Sequence, residues 1–309
     1  MSAISAGGKT TMRLLSVHAH PDDEASKGAA SMAAYVAAGH RVRIVTATGG
    51  ERGDILNPRL QGNRLISDRL NEVRQEEMAA AVAALGVEHH WLGFIDSGLP
   101  EGDPLPPLPE GCFALQPDEV TVPALVAQIR EFRPHVLVTY NEEGGYPHPD
   151  HLAVHRISMA AAEAAADPNY HPLLGAAWQV QKIYYDISFA RPRLEALHEA
   201  MEERGLESPF LSWLAARPER KLRRVDARLA VADYFPQRDA ALRAHATQID
   251  PDGFFFQVPR ALEAEVWPWE EFELAWVADE SLRPAPGSVD DDLFAGIVDD
   301  DGSAQTERA

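Results

Sequence analysis

Two short polar runs carry the chemistry of this chain: His20-Pro21-Asp22-Asp23-Glu24 and Tyr146-Pro147-His148-Pro149-Asp150-His151. Imidazoles and carboxylates at this density suit a divalent cation. A catalytic zinc site takes three nitrogen or oxygen ligands and leaves a fourth position for water. His20, Asp23 and His151 can supply the three, and Asp22 beside them can take a proton from that water. Asp22 and Asp23 are consecutive, so their side chains diverge and can serve these two ends separately. His148 and His151 lie three apart, so in a loop entering a helix one can face the metal while the other faces substrate. If His148 is not a ligand, it can act as an acid or hold an oxyanion, with Asp150 orienting its ring. Each run alone has a bland reading. The aspartates could cap a helix, and the prolines could stiffen a surface turn.

The surrounding pattern decides between these readings. Leu14 to Ala19 is a strand-like run followed by the Ala-rich helical stretch Ser26 to Ala38, and Val42 to Thr48 is a second β-branched run. A helical pattern from Ile66 to Leu85 stops at Gly86, and His89 to Leu92 reads as a third strand. A Gly- and Pro-rich loop from Asp96 to Pro117 follows, then a helix over Val120 to Phe132, a strand over Val136 to Tyr140 and a helix over Leu152 to Ala166. Repeated β-then-α units predict an α/β fold, a Rossmann-like, mostly parallel sheet with helices on both faces. In such sheets ligands bind beyond the carboxyl ends of the strands, and both polar runs fall there. Together they read as a metal-hydrolase site.

The later part is less regular. Val180 to Tyr185 and Arg228 to Ala232 read as strands, and Pro192 to Arg204 and Tyr234 to His245 as helices. The expected organisation is a flexible leader over 1–11, the Rossmann-like core over 12–179, a smaller C-terminal α+β portion over 180–281 that completes the substrate pocket, and an acidic, unstructured tail over 282–309. From Pro286 onward there are seven acids and one base.

Composition excludes several partners. The chain has 309 residues, 45% hydrophobic and 25% charged, which is ordinary for a globular protein. A net charge of −20 argues against nucleic acid, whose binding needs Lys and Arg on phosphates. No apolar run approaches the roughly 18 residues of a membrane span. Cys112 is the only cysteine, so an intrachain disulfide and a thiolate-rich zinc site are excluded and a cytoplasmic setting is expected. An oligomer is possible but not indicated. Gly49-Gly50-Glu51-Arg52-Gly53-Asp54 after the second strand is not spaced for a dinucleotide, but would let backbone approach a substrate, with Glu51 and Arg52 for polar contacts. By sequence alone Lys27, Arg74 and Asp96 belong on the surface, Arg74 pairing with Glu77 one turn on.

At the first polar run the chain resembles the zinc-dependent N-acetylglucosaminyl deacetylases and amidases. Thr48 to Pro58, His89 to Gly111, Arg133 to His151 and Ala240 to Asp250 extend the likeness over roughly 12–275. The resemblance implies His20, Asp23 and His151 as ligands of Zn2+, although Fe(II) accepts the same donors. It implies Asp22 as general base, His148 as catalytic histidine with Asp150 as its partner, and Tyr146 as a mobile aid at the carbonyl oxygen. Arg74 and Asp96 would hold the sugar, Glu51 would lie near sugar or inositol hydroxyls, and Lys27 would mark an amidase. The implied substrate is a small thiol-sugar conjugate, S-substituted mycothiol, cleaved at its amide in detoxification. The alternatives are deacetylation of N-acetylglucosaminyl-inositol, and a noncatalytic carbohydrate-binding protein.

Overall fold

The computed structural model describes residues 11–216 and 222–298. Short aliphatic and β-branched runs form β1 (Arg13–His18), β2 (Arg41–Thr48), β3 (Glu88–Phe94), β4 (Val136–Thr139) and β5 (Lys182–Asp186), all paired in parallel. With β6 (Ala227–Ala230) and β7 (Trp269–Val277) they make a seven-stranded sheet in the order β3-β2-β1-β4-β5-β7-β6. The order reverses at β1, with β2 on one side and β4 on the other. A crevice therefore opens between the loops that leave β1 and β4, and these are the loops that carry the polar runs.

Helices cover both faces because the central strands are buried on both sides. One face takes α2 (Ala29–Ala37), α4 (Leu70–Leu85) and α9 (Phe235–Ala244), packed through Tyr35, Met78 and Leu242. The other takes α5 (Asp118–Phe132) and α6 (Pro149–Ala166), packed through Ile129, Val154 and Ile157. Leu194 and Leu197 of α7 (Arg191–Glu203) and Leu262 of α10 (Arg260–Val266) form a smaller third cluster. Two short helices, α1 (Asp23–Ser26) and α3 (Arg64–Ser67), precede α2 and α4, and α8 (Leu211–Ala216) follows α7. Among the described residues no helix is long and apolar enough to cross a membrane.

The expected fold class holds, with differences of detail. The single helix read over Ser26 to Ala38 is broken at Lys27-Gly28, which lets Lys27 turn back toward Asp23. The later strands extend the first sheet: β5 joins β4 in parallel, and β7, which its three glutamates disguise, enters antiparallel between β5 and β6. Part of the expected tail is ordered against the core. Leu293, Phe294 and Ile297 are buried, Phe294 stacks edge-on to Tyr35 at 4.9 Å, and the Tyr35 hydroxyl donates to Asp292 Oδ1 at 2.8 Å. Apolar residues between the acids supply the reason, since each buried side chain of this size contributes about 1.5–3 kcal/mol. Residues 299–309, and 1–10 of the leader, lie outside the described residues.

Candidate active site

Beyond β1 the chain turns sharply through Pro21-Asp22. Asp22 has φ 112°, a conformation costly for a residue with a Cβ, and its amide is held by Glu24 Oε2 at 2.9 Å. The turn brings His20 and Asp23 together, with the His20 amide donating to Asp23 Oδ2 at 3.0 Å. Beyond β4, His148 caps α6: its Nδ1 accepts the Asp150 amide at 3.1 Å, and Pro149 starts the helix without wasting a donor. This cap places His151 in the first turn, facing Asp23 across the crevice.

His20, Asp23 and His151 offer ligand atoms within 4.8 Å of one another, all buried. His151 Nδ1 donates to Gly144 O at 2.9 Å, so the neutral ring presents a bare lone pair at Nε2. That nitrogen is buried without a hydrogen-bond partner and lies 3.3 Å from Asp23 Oδ2, one acceptor facing another. His20 Nε2 donates to Asp150 Oδ2 at 3.2 Å, which leaves Nδ1 toward Asp23 Oδ2 at 3.5 Å. Two nitrogens and a carboxylate thus converge on one point, and the donor set is the one zinc prefers. Burial pushes the Asp23 carboxyl up, but His151, Lys27 and His20 outweigh it and hold it well below the usual range. Burial likewise opposes charge on His20, yet Asp150, Asp23 and Asp96 keep it protonated well above its ordinary value. Metal binding there would displace a proton. A second group, His20, Asp96, His148 and Asp150, also lies within 4.8 Å, but its carboxylates are already occupied by backbone amides: Ser97 on Asp150, Arg52 and Gly98 on Asp96.

Asp22 stands beside this triad. Burial first, and Asp23 next to it, push its carboxyl up to about 6 against the lowering pull of Arg74. His148 is lowered to about 4 by burial and by neighbouring His20 and His151. It is therefore neutral, and because Nδ1 accepts the Asp150 amide, its proton sits on Nε2, available for donation. Tyr146 is partly exposed, its ring 4.5 Å from that of His151, and burial with the nearby aspartates holds its hydroxyl protonated.

Every residue singled out from the sequence reaches this rim, but several contacts differ from expectation. The Asp150 carboxylate, expected on His148, is bonded instead to His20 and to the Ser97 amide and hydroxyl, and His148 is oriented by the Asp150 backbone. Arg74 is buried and does not pair with Glu77. Its guanidinium donates to Gly50 O and Pro21 O, both at 2.6 Å, and lies 3.5 Å from Asp22 Oδ2. A Cβ at Gly50 would come within 2.2 Å of Arg74 Nη1, so glycine is needed there. Lys27 Nζ is bonded to Asp23 Oδ1 at 2.6 Å. Glu51 Oε1 accepts the Asp96 amide at 2.9 Å, joining the β2 and β3 loops. Sequence reasoning missed Ser97, the Tyr140 ring stacked on His151 at 4.3 Å, and the polar turn His245 to Gln248. The last lies within Ala240 to Asp250, a segment the resemblance covers without giving it a role.

Comparison with known proteins gives this geometry a context. Residues 15–162 match the model of the PIG-L family, GlcNAc-PI de-N-acetylase. The mycothiol S-conjugate amidase of Streptomyces coelicolor is 56% identical over 93% of this chain and 98% of its own length. The 1D-myo-inositol 2-acetamido-2-deoxy-α-D-glucopyranoside deacetylase of Geodermatophilus obscurus is 42% identical over 92% and 98%. Among solved structures, the N,N'-diacetylchitobiose deacetylase of Pyrococcus horikoshii superposes with a TM-score of 0.58 at 16% identity, over 86% of this chain and 84% of that one. This last likeness concerns the fold.

Proposed function

As the chain belongs to the GlcNAc-PI de-N-acetylase family, we propose that it is a cytoplasmic zinc-dependent amidase that hydrolyses the cysteinyl-glucosamine amide of mycothiol S-conjugates, yielding a mercapturic acid and glucosaminyl-inositol. The observation that carries hydrolysis is the bare, buried His151 Nε2 facing Asp23, with a raised carboxyl at Asp22 and a neutral imidazole at His148 on the same rim. The choice of amide follows the higher identity to the amidase relative, 56% against 42% for the deacetylase.

His20, Asp23 and His151 would hold the metal. When bound, zinc polarises the amide carbonyl and acidifies a water to a pKa of about 7. Asp22 takes the water proton. His148 Nε2–H, with Tyr146 beside it, donates to the carbonyl oxygen as negative charge develops, a contact worth about 3–4 kcal/mol when preorganised. Asp22 or His148 then delivers a proton to the departing sugar amine. Asp150 keeps His20 in register, Lys27 neutralises the outer oxygen of Asp23, and Arg74, Asp96 and Glu51 shape the sugar side of the rim.

Deacetylation of N-acetylglucosaminyl-inositol uses the same chemistry on a smaller acyl group and is the second reading, favoured by the deacetylase relative. The test is hydrolysis of a bimane conjugate of mycothiol by zinc-loaded protein before and after chelation, beside the N-acetyl sugar. Chelator-sensitive release of the mercapturic acid is expected. Turnover of the N-acetyl sugar alone would reverse the choice, silence on both would reopen the substrate question, and sugar binding without hydrolysis by the zinc-loaded protein would support a noncatalytic carbohydrate-binding role. Asp22→Asn should retain zinc while kcat falls about 10²–10⁴-fold, whereas Asp23→Ala should lose zinc itself. Normal turnover by zinc-loaded Asp22→Asn would remove Asp22 as the base.

A further inference from the structure

Glu24 and His245 are 221 positions apart, both fully buried, and joined by a contact of 2.5 Å between His245 Nε2 and Glu24 Oε1. The other ring nitrogen, His245 Nδ1, is buried without a hydrogen-bond partner, so the ring is committed to Glu24. The second oxygen of Glu24 accepts the Asp22 amide at 2.9 Å. His245 stands at the C-terminal end of α9, where free carbonyls favour a cationic ring. It also opens a turn that reaches the rim elsewhere. Thr247 donates through both its amide and its hydroxyl to Glu77 at 2.7 Å, one turn along α4 from Arg74, and Thr247 O accepts the Leu56 amide at 2.9 Å. Gln248 Nε2 donates to Asp54 O at 3.0 Å.

Asp22 needs such support. With φ at 112° its backbone sits where an aspartate would not stay unaided, and relaxation of that angle would swing the carboxylate away from the ligand triad. We infer that His245 is a positioning residue for the hydrolysis, acting through Glu24 on the Asp22 backbone to hold the base carboxylate against the ligand triad. Its side-chain hydrogen bond is to Glu24 and not to a proposed metal ligand. The inference rests on the reading of Asp22 as the base.

The test compares kcat, KM and zinc affinity for the full-length protein and the variants His245→Ala, His245→Gln, Asp22→Asn and His245→Ala/Asp22→Asn, on whichever of the two amides the wild type turns over. Supporting groups that orient a site are typically worth about 10–100-fold. His245→Ala should therefore lower kcat by about that factor while KM and zinc affinity, read by chelator competition, stay within about threefold. His245→Gln keeps a donor toward Glu24 and should recover most of the rate. In the Asp22→Asn background, removal of His245 should cost nothing further, because the two act as one unit. An equal loss in both backgrounds overturns the inference, as does a loss expressed only in zinc affinity or folded yield. Should His245→Ala fail to fold, Glu24→Gln is judged by the same criteria. Full turnover by Asp22→Asn would defeat the base assignment itself, a different failure from a silent His245.

Discussion

The loops that leave β1 and β4 bring together His20, Asp23 and His151, the proposed ligands, but are held in different ways. The first is pinned from outside: Arg74 of α4 grips Pro21 O, His245 grips Glu24, and the Tyr140 hydroxyl accepts the Ala19 amide at 3.0 Å. The second is held mostly by its own residues, with Ser97 of the β3 loop as the outside grip on the Asp150 carboxylate. Asn141 Oδ1 accepts the Glu143 and Gly145 amides, both at 3.0 Å, His148 accepts the Asp150 amide, and His151 donates back to Gly144 O. The difference follows from conformation. The β4 loop turns on glycines, which adopt positive φ freely, whereas the β1 loop asks it of an aspartate and draws its restraint from the tertiary fold. The setting of His151, a proposed ligand, is thus largely a local property of the sequence, and that of Asp22, the proposed base, is a property of the whole molecule.

The sharpest contrast comes from a residue far from both loops. Phe294→Ala, which leaves a cavity beside Tyr35 of α2, should destabilise the fold by about 3–5 kcal/mol in urea unfolding, with kcat of the folded protein unchanged. If it lowers kcat before it lowers the unfolding midpoint, the external pinning extends further than the β1 loop. Next in size, Gly144→Ala would drive a Cβ to 2.8 Å from both His151 Cβ and Tyr146 O at a φ of +70°. Zinc affinity should drop by about 10–100-fold, measured against a chelator, with the Asp22 loop intact. A change below twofold would show that the β4 loop is not self-held. The smallest effect belongs to pH. Asp22 works as a carboxylate, so kcat/KM should rise with pH through about 6, and His148, lowered to about 4, should not limit it there. Arg74 lowers the Asp22 value, so Arg74→Ala should move that limb to higher pH and reduce the rate at pH 7 by a few fold. A limb that stays in place would sever Arg74 from the base.

Local pattern made the parallel half of the sheet legible, because short runs rich in aliphatic and β-branched residues, such as Leu14 to Ala19 and Val136 to Tyr140, fit buried strands. The convergence of His20, Asp23 and His151 was legible for a related reason: histidines and aspartates crowd two strand ends that the topology must bring together. What stayed hidden depends on partners distant in sequence. In β7, Glu270, Glu271 and Glu273 interrupt the apolar pattern, yet Glu270 accepts the Ser31 amide at 2.8 Å and Glu271 pairs with Arg228. The acids of 290–292 read as a solvated tail, but Asp290 exchanges backbone hydrogen bonds with Asp226 and Arg228, and Asp292 takes the Tyr35 hydroxyl. Arg74 read as an exposed helix residue because its partners are backbone carbonyls on two other loops.

The distance between Glu24 and His245 along the chain also has a temporal side. A ribosome adds about 5–20 residues per second. All three ligands are synthesised once His151 emerges, but the imidazole that braces the base follows some 5–20 s later at those rates, and β7, which must slot between β5 and β6, later still. The growing chain therefore carries all three proposed ligands well before it carries the residue inferred to position the proposed base. The proposed metal ligands and the proposed brace of the base are separated in birth order by the connectivity of the fold.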